Sequence, residues 1–334
     1  MNHPIDNLHF ALGIDVGKFD CHVALLHPEN AALLGEAVFD NNKQGFGSLM
    51  RWLHKALPQG ASVHACMEAT GAYSMPLALF LTGDLALVSV VNPQTIKAFG
   101  QMKLRRSKTD PADAKLIARF CLKERPQPWQ PPSPQQQKLT ALARRVTNLQ
   151  QQQTAENNRL GQCLDADAAK SLRSHLRWLK AEEKRVQSQI EKLVLGDPEL
   201  RQRAQWLDSI PGIALKSAAQ LVAELPALES FQSARQLAAY AGLTPRHRQS
   251  GTSGSKGTPL CKIGSSRLRL ILFFPAIAAM RFNPQLRAFA QRLLERKKPK
   301  LVIIGALMRK LIHIVFGLLK NRQPYNPNHL ILPS

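Results

Sequence analysis

Five prolines fall between residues 126 and 134 (Pro126, Pro128, Pro131, Pro132 and Pro134). No α-helix runs through such a stretch. Each proline removes a backbone N–H donor, fixes its own φ and disfavours the helical region for the residue before it. The segment 126–137 is therefore an extended, stiff linker. It divides the chain into parts with different hydrophobic rhythms and different charge.

Before the linker, residues 10–16, 22–27 and 34–40 read as three successive strands. A helix over 46–56, a strand over 63–68, a helix over 73–81, a strand over 85–91 and a helix over 111–122 follow. Periodicity gives an α/β domain over 1–125 and no more than that. After the linker, Leu139, Leu142, Val146 and Leu149 recur at spacings of three and four. Past a break near 165–167, Leu172, Leu176, Leu179, Val186, Ile190 and Leu193 repeat the pattern. This narrow stripe over 138–197 is of coiled-coil type. It fits a dimer seam and an antiparallel arm folded on itself equally well. Residues 198–334 read as a helical domain interrupted by a Gly/Ser loop at 250–257.

Charge separates the parts further. Residues 1–100 carry 5 basic and 8 acidic residues, residues 101–200 carry 19 and 11, and residues 201–334 carry 21 and 4. A C-terminal third at +17 is the footprint of a nucleic-acid binder. Membrane anchors concentrate their charge on one helix, and here it is spread. The apolar stretch 270–280 is too short to span a bilayer and 301–319 is interrupted by Arg309 and Lys310, so both read as buried helices. The first 25 residues carry Asp6, Asp15 and Asp20 and lack the form of a signal peptide. The cysteines Cys21, Cys66, Cys121, Cys163 and Cys261 are scattered and read as free thiols of a cytoplasmic protein.

Four acids stand out. Asp15 ends a strand in Gly13-Ile14-Asp15-Val16-Gly17, and Glu68 ends another in Met67-Glu68-Ala69-Thr70-Gly71. Strand ends beside glycine turns point into the crevice where open α/β sheets place ligands. Asp110 and Asp113 lie three apart at a helix start and share a face. Four converging negative charges call for compensation, and a pair of Mg²⁺ ions, which favour oxygen ligands, supplies it. Singly, Asp110 reads as an N-cap before Pro111, Asp113 as a partner of the helix dipole and Glu68 as a solvated strand end. Together with Asp15 they read as a catalytic set. The Asp15 motif also resembles the first phosphate loop of actin/hexokinase-type ATPases and sugar kinases, which need a second Asp-x-Gly loop that this sequence lacks. A non-catalytic nucleic-acid-binding assembly protein would have no use for the four acids.

At these residues the sequence resembles the DEDD-motif transposases of bacterial insertion sequences, related to the Piv-type DNA invertases. Segments 13–18, 67–73, 91–93, 108–114, 210–213, 241–245 and 308–311 carry the resemblance in order, across nearly the whole chain. It implies a ribonuclease-H-like (RuvC-like) N-terminal domain, a helical coiled-coil arm and a mainly helical C-terminal transposase domain. It implies that Asp15, Glu68, Asp110 and Asp113 bind Mg²⁺ and that Ser250 is a nucleophile that holds a DNA end covalently. It also implies a noncoding bridge RNA as guide, and a dimer or tetramer on DNA. Read from its residues alone, the loop Ser250-Gly251-Thr252-Ser253-Gly254-Ser255-Lys256-Gly257 is a flexible segment without chemistry. The choice of Ser250 over Ser253 or Ser255 rests on the resemblance.

Arg246, Arg248, Lys256, Lys262 and Arg267 are the expected nucleic-acid contacts. Residues 207–221 resemble a helix-hairpin-helix, with Ala214 where the second hairpin glycine is usual. Trp178 and Trp206 read as core, and His247 as a surface or phosphate-contacting residue.

Overall fold

A computed structural model describes residues 9–85, 87–102, 109–246 and 259–327. The chain divides into two compact units, Met1–Pro131 and Pro132–Ser334.

The first unit is a five-stranded mixed sheet with helices on both faces. Its elements are β1 (Phe10–Val16), β2 (Asp20–Leu26), β3 (Leu33–Asp40), α1 (Lys43–Ala56), β4 (Val63–Glu68), α2 (Ser74–Asp84), β5 (Leu87–Val91), α3 (Pro93–Met102) and α4 (Asp110–Glu124). The strand order is β3-β2-β1-β4-β5. β2 runs antiparallel to β1 and β3, while β4 runs parallel to β1 and β5. Alternation along β1 builds both layers. Leu12, Ile14 and Val16 face a core made with Phe46, Leu49 and Leu53 of α1 and Leu77 and Leu81 of α2. Ala11 faces the other way, with Cys66, against Ile96 and Phe99 of α3 and Ile117, Phe120 and Cys121 of α4.

Gly13 lies on this second face, and it decides how close α4 comes. A Cβ at position 13 would stand 2.2 Å from both the Ala114 carbonyl oxygen and the Ala118 nitrogen. Only glycine lets the helix backbone rest directly on the strand. Because Asp15 is two residues on, it shares this face, and α4 brings its first turn toward it.

The sequence expectations for β1 and β4 match residue for residue. α3 was not expected: its ten residues bury only Ile96, Phe99 and Gly100, too few for a visible apolar period. The proline-rich segment is extended as expected only as far as Ser133, since 134–137 already belong to the helix Pro134–Gln162, and its first half is docked. The Trp129 N–H donates to the Val88 carbonyl at 2.7 Å, and the Ser89 hydroxyl lies 3.0 and 2.8 Å from the carbonyls of Pro126 and Gln127. The segment thus covers the outer edge of β5, where unpaired backbone groups would otherwise face outward.

The second unit is helical: α5 (Pro134–Gln162), α6 (Ala166–Gly196), α7 (Pro198–Asp208), α8 (Leu215–Glu224), α9 (Ala234–Tyr240), α10 (Ser266–Phe282), α11 (Pro284–Glu295) and α12 (Lys300–Asn321), with a 3₁₀ turn at Leu228–Ser230. Pro134 is the first helical residue of α5, where its missing N–H costs nothing, and Ser133 caps it by accepting from the Gln136 N–H at 3.1 Å. α5 and α6 form an antiparallel hairpin turning at 163–165, so the narrow stripe finds its partner inside the chain. Leu139, Val146 and Leu149 of α5 and Leu179, Val186 and Ile190 of α6 belong to one continuous core with α7 to α12. Arm and C-terminal domain, expected as separate pieces, share that core.

α12 is long and apolar enough to cross a membrane, but 56% of its apolar window is buried within the unit, as befits a core helix. α10 departs from the expected buried helix. Leu270, Phe274 and Ile277 are exposed along one side, Phe274 at 72%. Trp206 packs against the core as expected, whereas Trp178 is exposed and stacks on His175. All five cysteines are free.

Candidate catalytic site

The carboxyl ends of β1 and β4 lie side by side. Ile14 pairs with Met67, so Asp15 and Glu68 are the next residues of neighbouring parallel strands and point to the same face. On the other side of β1, Asp15 pairs with His22 of β2. α4 lies over this face, and its N-terminus supplies the remaining acids. Thr109 is the N-cap residue, at φ −142° and ψ 149°, so Asp110 is the first helical residue and Pro111 the second. The N-cap position expected for Asp110 therefore falls on Thr109, one residue earlier, whose side chain makes no capping hydrogen bond. Asp113 sits one turn on, its N–H donating to the Thr109 carbonyl at 2.9 Å.

Asp15, Asp110 and Asp113 converge: one carboxylate oxygen from each lies within 4.8 Å of the other two. Asp15 and Asp113 are half-buried and Asp110 is exposed. Glu68 stands on the neighbouring strand outside that trio. His22 Nε2 lies 3.8 Å from Asp110 Oδ2, beyond hydrogen-bonding reach. The donors are all oxygen and suit a hard divalent cation. Cys21 faces the opposite layer, where burial first and the Asp20 and Asp15 charges next push its thiol up to about 12.

The second unit builds a different platform. Residues 242–246 and 259–262 run antiparallel. The Arg246 N–H donates to Pro259, that of Cys261 to Thr244 and that of Lys262 to Gly242, at 2.8, 2.8 and 3.2 Å. Pro245 and Leu260 form a β-bridge. Of the expected nucleic-acid contacts, Arg246 and Lys262 are exposed on this ribbon, and Arg267 approaches Glu224 at 4.0 Å. Ser250, Arg248, Lys256 and His247 lie outside the described residues.

Two arginines that the sequence reading passed over hold the ribbon. Arg269 donates to the carbonyls of Ala241, Gly264 and Ser265 at 2.9, 3.4 and 3.3 Å, and Arg309 donates to that of Leu243 at 3.4 Å. Arg269 has no local signal, and Arg309 showed only as a charge interrupting the apolar stretch 301–319. Only the resemblance across 308–311 pointed near one of them.

The hairpin 209–214 between α7 and α8 is packed inward. Gly212 has φ +106°, and a Cβ there would stand 2.6 Å from the Ala279 nitrogen of α10. Ile210 and Ile213 are buried in the core. The hairpin glycine thus serves packing.

A family model described as a transposase of the DEDD, IS110 type matches residues 12–166, and one described as the transposase IS116/IS110/IS902 family matches residues 204–291. The pilin gene-inverting proteins of Moraxella bovis and Moraxella lacunata are each 36% identical over 319 residues, covering 94% of this chain and 97% of theirs. The IS110 uncharacterized 43.6 kDa protein of Streptomyces coelicolor is 30% identical over 151 residues, covering 45% of this chain and 36% of that protein. A sheet-end carboxylate cluster in a chain of this kinship defines an enzyme of DNA rearrangement, a transposase or site-specific recombinase. Within that class the chain belongs to the IS110 family of transposases.

Proposed function

We propose that this protein cuts and rejoins DNA through a covalent serine intermediate at a magnesium-loaded, ribonuclease-H-like site. The convergence of Asp15, Asp110 and Asp113 within 4.8 Å is the observation that carries the reading. Glu68, on the same face one strand away, completes the donor set. Bound Mg²⁺ would supply Lewis-acid stabilisation of the charge that develops on the phosphate oxygens.

The chain's own groups do the rest. The Ser250 hydroxyl attacks phosphorus and loses its proton. A serine–phosphate bond forms as the DNA O–P bond breaks, and the departing DNA oxygen takes up a proton. The bond energy is kept in the ester, and attack by a second DNA hydroxyl reverses the step and joins new ends. Arg246, Arg248, Lys256, Lys262 and Arg267 hold the phosphates by charge and hydrogen bonding. The reading extends to a homo-oligomer, dimer or tetramer, whose subunits each contribute half of a site. It extends also to a noncoding guide RNA that selects the sites, and to action on DNA in the cytoplasm.

The test is to trap the reaction on a suicide substrate and locate the modified residue by peptide mass spectrometry. The expected result is a DNA adduct on Ser250 that is lost in Ser250→Ala. An adduct on Ser253 or Ser255 moves the nucleophile. Wild-type cleavage by Ser250→Ala with no adduct overturns the covalent mechanism in favour of a water-using nuclease.

A further inference from the structure

Residues 308–311 belong to the family-like pattern, yet the proposed chemistry gives them no role. α12 places Arg309 one turn after Gly305, on the same face. Gly305 lies under Leu260, whose side chain would stand 3.2 Å from a Cβ there, and Arg309 binds the Leu243 carbonyl. One face of α12 thus braces both sides of the Pro245–Leu260 bridge.

Around that face the cations gather. Arg235 comes from the exposed side of α9, and Arg292 comes from α11; both helices pack on α12. The Lys310 ammonium and the Arg292 guanidinium stand 5.6 and 5.9 Å from the centre of the Phe289 ring. Elsewhere in the unit some basic side chains have acidic partners: Arg144 with Glu224, Arg159 with Glu156, Arg185 with Glu182 and Lys216 with Glu183, all within 3.3 Å. Arg235, Arg292, Arg309 and Lys310 make no ion pair with any described residue.

The cost of this crowding is visible. Arg309 is held below the usual guanidinium value by burial first and then by Arg235, and Lys310 is lowered by burial and then by Arg292 and Arg309. His313, one turn beyond Arg309, is pushed down to about 4 by burial and then by Arg309, Lys310 and Arg235, and its buried Nε2 has no hydrogen-bond partner. Like charges held together without a counter-charge are unfavourable in the free protein, and a bound anion removes the penalty. Arginine and lysine side by side suit a phosphate, by fork geometry and by point charge.

We propose that Arg235, Arg309 and Lys310 form a clamp for one phosphodiester of duplex DNA, set against the base of the Pro245–Leu260 bridge. The choice of DNA as the polyanion rests on the recombinase reading; the clamp itself rests on the geometry.

The experiment uses the full chain with Arg235→Gln, Lys310→Gln and the double variant. Binding to a DNA duplex and to a structured RNA is measured across a salt series, and the free proteins are melted. Each substitution is expected to weaken DNA binding regardless of sequence and to reduce the slope of log affinity against log salt by up to about 0.9, the value for one lost phosphate contact. The double variant loses the whole of that one contact, about 0.9. Melting temperatures of the free variants stay level or rise, because repulsion is relieved. Arg309→Gln also breaks the Leu243 contact, so the other two variants carry the test. A wild-type DNA slope in the double variant overturns the clamp, as does weakened binding accompanied by a fall in melting temperature, which marks a structural role. A change confined to RNA overturns the choice of DNA. Strand exchange is scored separately. A wild-type protein that never exchanges strands, while its variants show the lost slope, removes the recombinase reading and leaves the clamp.

Discussion

Residues 1–131 carry a net charge of +2 and residues 132–334 carry +20, yet each unit gathers like charges at one place. In the first the gathered charges are carboxylates, set by one strand end and one helix start on a face shaped by Gly13. In the second they are guanidinium and ammonium groups, set by three helices beside the Pro245–Leu260 bridge. Rigid secondary structure holds both clusters, and among the described residues the basic one has no ion pair of the kind that lines the α5–α6 hairpin. The contrast teaches that net charge is a poor guide to where a protein needs a ligand. The nearly neutral unit and the strongly basic one each concentrate an unfavourable arrangement, one suited to cations and the other to a polyanion.

The largest expected effect breaks the comparison on the acidic side. Asp15→Asn or Asp113→Asn should abolish DNA cleavage, a loss of several orders of magnitude if bound metal carries the transition-state charge. DNA affinity, supplied by the other unit, should stay near wild type. Full recombination by Asp15→Asn, assayed on a plasmid substrate, would remove the acids from the site.

The next effect compares the two close-packed glycines. Gly13→Ala should destabilise the first unit by about 1–3 kcal/mol or more, because the new methyl meets helix backbone that cannot step aside. Gly212→Ala should cost the second unit at least as much, adding left-handed strain to its clash with Ala279. Chemical denaturation followed by tryptophan fluorescence reads both. Gly13→Ala should also weaken divalent-cation binding, measured by calorimetry, and Gly212→Ala should not. Equal loss of metal affinity in both variants would show that α4 is not the element Gly13 positions.

The smallest effect is a titration. His64 and His313 are both pushed down to about 4, His64 by burial and then His9, His313 by burial and then its cationic neighbours. Each lowers stability as pH falls from the ordinary histidine value toward about 4, since the unfolded chain binds the proton more tightly. Bound DNA should raise His313 by about one unit, because phosphate offsets the surrounding cations. His64, buried against Ser89 at 2.8 Å, should not move. Histidine ring NMR with and without a duplex distinguishes them.

Much of the first unit was legible because strands and helices with one buried face write their period into the chain. Residues 10–16 and 63–68 were readable to the residue. The acids were legible as strand ends and a helix start that should converge, but the means of their meeting was not. It depends on α4 resting on Gly13, a contact between residues a hundred positions apart. In the second unit the apolar stripe announced that a partner was needed without saying which, and the answer is the hairpin. A boundary at 198 would strand Leu139, Val146, Leu179 and Val186 away from the core they complete. Leu270, Phe274 and Ile277 misled in the opposite way, because apolar composition says nothing about whether a cover exists within the same chain. Arg269 was invisible, since an arginine that binds backbone carbonyls looks like any surface cation in a sequence, and Arg309 showed only as a break in an apolar stretch.

The hairpin has a mechanical side. Its inner half, through Leu149 on α5 and from Leu179 on α6, is embedded in the core, while the turn at 163–165 ends in a fully exposed Leu164. From residue 150 to the turn, α5 extends roughly 20 Å beyond that anchorage at about 1.5 Å per residue. A rod fixed at one end converts angle into travel. A tilt of about 10° at the root would carry the tip by roughly 3.5 Å, about the rise of one base pair along a duplex. Any displacement of the tip is therefore geared to the packing around Leu149 and Leu179.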